Sequence, residues 1–86
     1  MKVITGNNKQ DLLIETDTLV MGSVEGDIRV LSGAKLHLKA KVKGNIHLNK
    51  DSVITIQDKV IGNIYDSGAS IEVIDGEVEG EILIYR

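Results

Sequence analysis

The amino-acid sequence predicts an all-β fold: a right-handed parallel β-helix, triangular in section, with about 18 residues per coil and four to five coils. One observation is a Val-x-Gly-x-Ile unit that recurs with a constant 18-residue spacing, starting at Val24, Val42, Val60 and Val78. Another is an apolar residue at every sixth position from Val24 to Val60. A fixed period indicates a repeat architecture, and three groups of six divide each coil into three short strands.

The composition agrees with short strands. The 86 residues correspond to one domain and contain no cysteine, proline, phenylalanine or tryptophan, which excludes disulfides and cysteine-based metal sites. The core must therefore consist of Val, Ile and Leu, of which the β-branched residues favour strands. A net charge of −3 argues against nucleic-acid binding. With no apolar run near the ~20 residues of a membrane span and no signal-peptide core at the N-terminus, we expect a cytoplasmic protein without a transmembrane segment.

The first residues depart from the repeat. One full period before the first Val-x-Gly-x-Ile unit, the corresponding positions hold Gly6, Asn8 and Gln10. Terminal repeats are irregular in solenoids because they face water on one side. We therefore expect an atypical capping coil over residues 1–18 and β-helix repeats over 19–86.

Within the repeat, the valine and isoleucine of each unit are predicted to fill the core. The glycine is predicted to lie at a corner, where either a positive φ or a close backbone approach excludes a side chain. The structural positions of the four units are Val24, Gly26, Ile28, Val42, Gly44, Ile46, Val60, Gly62, Ile64, Val78, Gly80 and Ile82.

Residues between these positions are predicted to form outward columns, because equivalent residues of stacked coils lie above one another. In the column next to the glycines we expect each amide to bond to the next. That column is Asp27, Asn45, Asn63 and Glu81, and the following one is Arg29, His47, Tyr65 and Leu83.

The six-residue spacing fails at Asp66 and Glu72, where the apolar pair stands one place early, at Ile71 and Val73. A corner one residue shorter over residues 67–70, compensated by one extra residue at 75–76, explains the shift. Changes of loop length at corners cost little because they leave the strands in register.

Handedness rests on the small residues. The left-handed hexapeptide helices of acyltransferases also repeat every six residues, but they need a small residue at a fixed place in nearly every hexad. Here the residue after the apolar position is Glu25, Leu31, His37, Lys43 or Asn49. We favour the right-handed form and keep an enzyme of hexapeptide type as the alternative.

The sequence offers little catalytic chemistry. His37 and His47 are predicted to point outward on different sides of the prism, where a site would need convergent partners, such as those of a trimer interface. Asp51 and Asp58 are expected at solvated corners, since one pair without a clustered loop is a weak calcium signal. Neither a phosphate-binding loop nor a nucleophile elbow is present. We expect a protein that is not an enzyme and that uses no cofactor or metal.

Charge and the chain end suggest where partners bind. Lysines gather in the middle coils, while carboxylates gather in the last coil. These carboxylates form either a plain solvated surface or a binding surface for a basic protein: Glu72, Asp75, Glu77, Glu79 and Glu81. The C-terminal residues Leu83, Ile84 and Tyr85 are predicted to form an uncapped edge for self-association. Head-to-head contact would close a dimer and head-to-tail contact would grow a filament; a true N-terminal cap favours the dimer.

Over residues 19–86 the sequence resembles the bactofilins, bacterial polymer-forming cytoskeletal proteins with a motif close to Val-x-Gly-x-Val-x-Gly-Asp-Ile. Residues 20–28 here read Val-Met-Gly-Ser-Val-Glu-Gly-Asp-Ile. The resemblance implies a right-handed triangular β-helix that polymerises end to end without nucleotide. Bactofilins usually have more coils and disordered, often proline-rich tails. The alternative is a small acidic protein-binding module, such as an immunity protein that neutralises a basic toxin.

Overall fold

The computed structural model describes residues 1–85, and in this part of the chain it is all-β, as predicted. The chain winds into a β-solenoid of about five turns, and every strand pairing is parallel. Residue 86, the last of the predicted repeat region, lies outside the described residues. The pairing defines five coils, which we number 1 to 5: residues 1–16, 17–34, 35–52, 53–69 and 70–85.

Each coil contributes strands to three faces, which gives the predicted triangular section. Face A contains β1 (Lys2–Ile4), the first part of β4 (Thr18–Val24), the first part of β6 (Lys35–Lys43), β8 (Val53–Ile56) and β11 (Ser70–Val73). Face B contains β2 (Asn7–Asn8), the second parts of β4 and β6, β9 (Lys59–Ile61) and β12 (Glu77–Val78). Face C contains β3 (Leu12–Ile14), β5 (Ile28–Val30), β7 (Ile46–Leu48), β10 (Ile64–Asp66) and β13 (Ile82–Ile84).

The register confirms the 18-residue repeat from coil 2 onward. On face C, Ile28 pairs with Ile46, Ile46 with Ile64, and Ile64 with Ile82. On face A the spacing between coils 4 and 5 is one residue shorter, because Ile71 pairs with Ile54. The full spacing returns on face B, where Val78 pairs with Val60. Both the shorter corner and the later extra residue are therefore present where the sequence predicts them.

Coil 1 has a different register from the predicted one. Asn8 pairs with Val24 and Leu12 pairs with Ile28, so equivalent positions of coils 1 and 2 are 16 apart in the sequence and not 18. The prediction that Asn8 stands at the glycine position was wrong, because Gln10 lies next to Gly26. A terminal coil stacks on one neighbour only, so its corners can shorten without disturbing a second register.

The core is aliphatic and runs along the inside of the prism. Fifteen inward apolar residues of coils 2 to 4 are almost completely buried, with exposed fractions of 0 or 1%. They are Val20, Val24, Ile28, Val30, Ala34, Leu36, Leu38, Ala40, Val42, Ile46, Leu48, Ile54, Ile56, Val60 and Ile64. The fourth repeat unit differs from the prediction: Val78 is half-buried and Ile82 is 43% exposed. Coil 5 is the last coil of the described chain, so the same residue types stay in contact with water on its outer side.

The repeated glycine lies at the predicted corner because two backbones approach closely there. A Cβ on Gly44 would overlap the carbonyl oxygen of Gly26, and Gly62 and Gly80 have the same relation to the preceding glycine. Of the four glycines in the column, only Gly62 has a positive φ, 146°. Close approach, and not a left-handed backbone, is therefore the common reason for glycine at this position.

Asp66 explains why the apolar spacing fails at the last corner between faces C and A. It lies in register between Leu48 and Ile84, in an inward column, and it is 4% exposed. Its Oδ1 accepts hydrogen bonds from the N–H groups of Gly68 at 2.8 Å and Ala69 at 2.6 Å. The carboxylate thus holds the shortened corner by satisfying two backbone donors.

Candidate functional site

The outer surface of coil 5 is an open apolar end of the solenoid, which we call the C-terminal face. It consists of the inward apolar residues of coil 5, Ile71, Val73, Val78, Ile82 and Ile84, with Tyr85 at its border, where the ring stacks on Tyr65. Exposed fractions are 46% for Val73, 43% for Ile82, 59% for Ile84 and 57% for Tyr85. Apolar side chains of this kind are normally buried, as the counterparts of Val73 and Ile82 in coil 4 are. A contiguous apolar surface is typical of an interaction site.

The backbone of coil 5 is open on the same side. Strands β11, β12 and β13 each pair only with a strand of coil 4 among the described residues. Their other edges present N–H and C=O groups that can pair with another chain. The C-terminal face therefore combines apolar side chains with unpaired strand edges.

Only part of this face matches the predicted edge. Ile84 lies on it and Tyr85 at its border, whereas Leu83 is half-buried and lies in an outward column of face C, in register with Tyr65. Val73 was not predicted to belong to this edge, and Ile82 was predicted to lie in the core. The repeat predicts that Val73 and Ile82 point inward. They are exposed because coil 5 is the last coil of the described chain.

The predicted acidic residues surround the C-terminal face, and we call them the acidic rim. All five carboxylate residues are exposed and belong to coil 5: Glu72, Asp75, Glu77, Glu79 and Glu81. Glu79 makes an ion pair with Lys59, with 3.0 Å between the carboxylate and Nζ. The hydrogen bond to Glu79, and then the attraction of its charge, raises the pKa of Lys59. The apolar centre with a charged border has the layout of a protein–protein interface.

The N-terminal end of the prism is less apolar. Ile14, in the same inward column as Ile84, is only 1% exposed, and Ile4 and Leu12 are half-buried. Lys2 and Asn8 occupy two further inward columns, in register with Thr18 and Val24. Coil 1 therefore offers fewer apolar side chains at its open side than coil 5 does.

A column of side-chain oxygens runs along the corner between faces B and C. Each Oδ1 accepts the backbone N–H of the equivalent residue in the next coil, at 2.8 to 3.0 Å. The acceptors are Asp11, Asp27, Asn45 and Asn63, and the last donor is the N–H of Glu81. The predicted column exists, but its bonds join side chain to backbone and not amide to amide. We call it the oxygen ladder.

The two histidines point outward on different faces, as expected. His37 lies on face A, in register with Leu19 and Thr55. His47 lies on face C and stacks on Tyr65 with ring centroids 4.8 Å apart, and Tyr65 stacks on Tyr85 at 6.0 Å. This stack was not predicted, although the sequence contains a signal for it, because His47 and Tyr65 are one full period apart.

Other surfaces carry less chemistry. The groove beside coil 1 on face C, lined by Leu13, Arg29 and His47 among others, has a volume of about 280 Å³, just below the usual range of ligand pockets. Asp51 and Asp58 lie at different corners, and Asp58 accepts the N–H of Lys59 at 2.8 Å. Within residues 1–85, no three His, Cys, Asp or Glu side chains come together as a metal site would require. Nor do these residues form a helix of the length and hydropathy that a bilayer span requires.

Comparisons with protein-family models, curated proteins and solved structures found no match to this chain. For residues 1–85, the fold and the surfaces define a class: a β-solenoid of about five turns with apolar side chains exposed at coil 5. The resemblance to bactofilins rests on the sequence motif.

Proposed function

We propose that this chain is a non-enzymatic structural protein that self-associates through the end of its β-solenoid. The observation that carries the proposal is the exposure of Ile84, at 59%, beside Val73 and Ile82 at 46 and 43%. Removing such apolar surface from water contributes about 25 cal/mol per Å². The bactofilin-like motif supports the same role, since that family assembles through coil ends.

The partner that this surface suits is another copy of the chain. When two C-terminal faces meet, a two-fold axis perpendicular to the solenoid axes relates the two copies. The strands of one coil 5 therefore run antiparallel to those of the other. Antiparallel pairing uses the open N–H and C=O groups of both edges. The same patch serves on both copies, which is the arrangement of a two-fold interface.

The test is the molar mass of the pure protein, measured by light scattering and sedimentation over a series of concentrations. We expect association that grows with concentration and that Ile84→Asp abolishes, while its circular dichroism stays that of the wild type. The matched control is Val3→Asp, because Val3 is 56% exposed at the opposite end; it should associate like the wild type. A wild-type protein that remains monomeric at every concentration would overturn the proposal.

The acidic rim favours a second candidate function, a module that binds a basic protein, as an immunity protein binds a toxin. All five carboxylates of the rim are exposed, which is the charge such a partner needs. Glu77→Gln with Glu81→Gln separates the two functions, because neutralisation removes repulsion between like rims but weakens a basic partner's docking. Stronger self-association of the double variant supports the structural role. Unchanged mass together with saturable binding of a small basic protein, lost in the variant, supports the module.

A further inference from the structure

We infer that coil 1 terminates the stack, so that self-association ends at a closed dimer joined through two C-terminal faces. This inference rests on the proposed self-association and adds its stoichiometry. Three features of coil 1 carry it: the residue at the glycine position, the polar residues in its inward columns, and the burial of its own apolar residues.

The glycine position shows which coils can accept another coil before them. Gly44 must lack a Cβ because the Gly26 carbonyl of the preceding coil fills that space, and Gly62 and Gly80 repeat the relation. Gly26 meets the carbonyl oxygen of Gln10, which lies 2.8 Å from where its Cβ would be. Glycine is thus required wherever a coil has a predecessor. Coil 1 has Gln10 at this position, and its Cβ has room because no described coil precedes coil 1.

Head-to-tail growth in register would remove that room. Coil 5 of one copy would become the predecessor of coil 1 in the next, and the Gly80 carbonyl of the first would approach Gln10 of the second. The obstruction lies between a backbone oxygen and a Cβ, neither of which can rotate away. Relieving it would require the two coils to separate at this corner, which breaks the strand pairing beside it.

Polar residues in two inward columns of coil 1 also oppose head-to-tail stacking. In a head-to-tail stack Lys2 would face Ile71 and Asn8 would face Val78, because these pairs share inward columns. An ammonium group or an amide enclosed by aliphatic side chains without a partner is strongly unfavourable. The C-terminal face, in contrast, has apolar residues in these columns.

Burial at the two ends gives the third argument. Ile14 is 1% exposed, so adding a coil over it would remove almost no apolar surface from water, whereas Ile84 is 59% exposed. The driving force for association is therefore concentrated at coil 5. Two copies can bury their apolar C-terminal faces against each other through a two-fold contact. This contact leaves both N-terminal ends outward and stops further growth.

The acidic rims make this dimer sensitive to salt. A two-fold contact between C-terminal faces brings both rims, with Glu72, Asp75, Glu77, Glu79 and Glu81 of each copy, around one interface. Salt screens such repulsion with a Debye length of about 8 Å at 0.15 M. We expect dimerisation to strengthen as sodium chloride is raised, whereas a contact between opposite charges would weaken.

The experiment replaces the three residues of coil 1 that are proposed to terminate the stack. The variant Lys2→Leu, Asn8→Val, Gln10→Gly should form species far heavier than a dimer, visible as filaments by negative-stain microscopy. The wild type should plateau at the mass of two chains. Adding Ile84→Asp to the variant should return it to smaller species, because growth still needs the C-terminal face.

Lys9→Gly is the matched control for Gln10→Gly, since it makes the neighbouring residue glycine without opening the column. It should plateau at the dimer mass. Wild-type filaments, or a folded triple variant that stays dimeric, would overturn the terminator and leave self-association standing. A monomeric wild type would instead overturn the proposed function. If the triple variant fails to fold, the wild-type mass plateau and its salt dependence still decide the matter.

Discussion

The two ends of the solenoid contain similar residues, but these residues differ in their exposed fractions. Ile14 and Ile84 stand in the same inward column, yet one is 1% exposed and the other 59% exposed. Val73 and Ile4 form a similar pair, since the first is exposed and the second half-buried. In this fold the burial of a residue depends on its place in the stack as much as on its type. A residue that would belong to the core of a middle coil becomes a binding surface in the last one.

The difference arises from length and from polar substitutions in coil 1. Coil 1 is shorter, because its positions precede those of coil 2 by 16, whereas coils 2 to 4 follow one another at 18 on face C. Lys2 and Asn8 replace apolar residues in two of its inward columns. In coil 5 the same two columns hold Ile71 and Val78. One end is thus suited to water and the other to another surface.

The largest expected effect comes from placing a carboxylate in the shared column at each end. Ile14→Asp should lower the free energy of unfolding by about 3 kcal/mol or more, because it buries a charge without a partner. At a chain concentration low enough to keep the wild type monomeric, Ile84→Asp should lower it by less than about 1 kcal/mol, as a surface substitution does. Urea denaturation followed by circular dichroism measures both. Ile46→Asp, in the fully buried middle of face C, serves as the reference and should unfold the protein. Equal losses for Ile14→Asp and Ile84→Asp would refute the difference between the ends.

A smaller effect is expected when a methyl group is added at the glycine column. Gly44→Ala should destabilise by about 1 to 3 kcal/mol, because its Cβ overlaps the Gly26 carbonyl oxygen and the core does not yield easily. Gln10→Ala, at the same position in coil 1, should change stability by no more than about 0.5 kcal/mol. Thermal and urea unfolding of the two variants compare them. A Gly44→Ala protein as stable as the wild type would mean that neighbouring coils can separate at this corner, which would also weaken the case for Gln10 as an obstruction.

The smallest effect is expected in the oxygen ladder. Asn63→Ala leaves the N–H of Glu81 without its acceptor and should cost about 1 kcal/mol. Glu81→Ala should change stability by less than about 0.5 kcal/mol, since this side chain bonds no backbone N–H among the described residues. Both are best measured in the Ile84→Asp background, where association does not contribute. Amide hydrogen exchange of residue 81 should quicken in the first variant only. If both variants lose the same stability, Glu81 has a structural contact beyond the ladder.

The sequence predicted the middle of the molecule well and its ends less well. Coils 2 to 4 have a neighbour on each side, so their period must match twice, and the regular spacing of Ile28, Ile46 and Ile64 records this constraint. Coil 1 matches once only. Its shorter spacing left no repeated signal, and Asn8 was assigned to the wrong column.

The candidate site was predicted in part for a similar reason. The acidic rim and the exposure of Ile84 and Tyr85 follow from their position near the chain end. Val73 and Ile82 carry the core pattern, and no local property separates them from buried counterparts such as Ile64. The role of Asp66 was also beyond the pattern, because the two N–H groups it bonds depend on the conformation of the shortened corner.

The direction of the oxygen ladder suits folding of the coils in order from the N-terminus. Because each rung offers its acceptor to the coil that follows in the chain, the oxygen for Asn63 is already in place on Asn45 when Asn63 is synthesised. Each coil contacts only its neighbours, so a solenoid can grow by adding one coil to the last, and chains fold from the N-terminus during synthesis. Coils 2 to 5 can each fold onto the preceding coil, which has already been synthesised. Coil 5, the last to form, keeps apolar side chains that no other described residue covers.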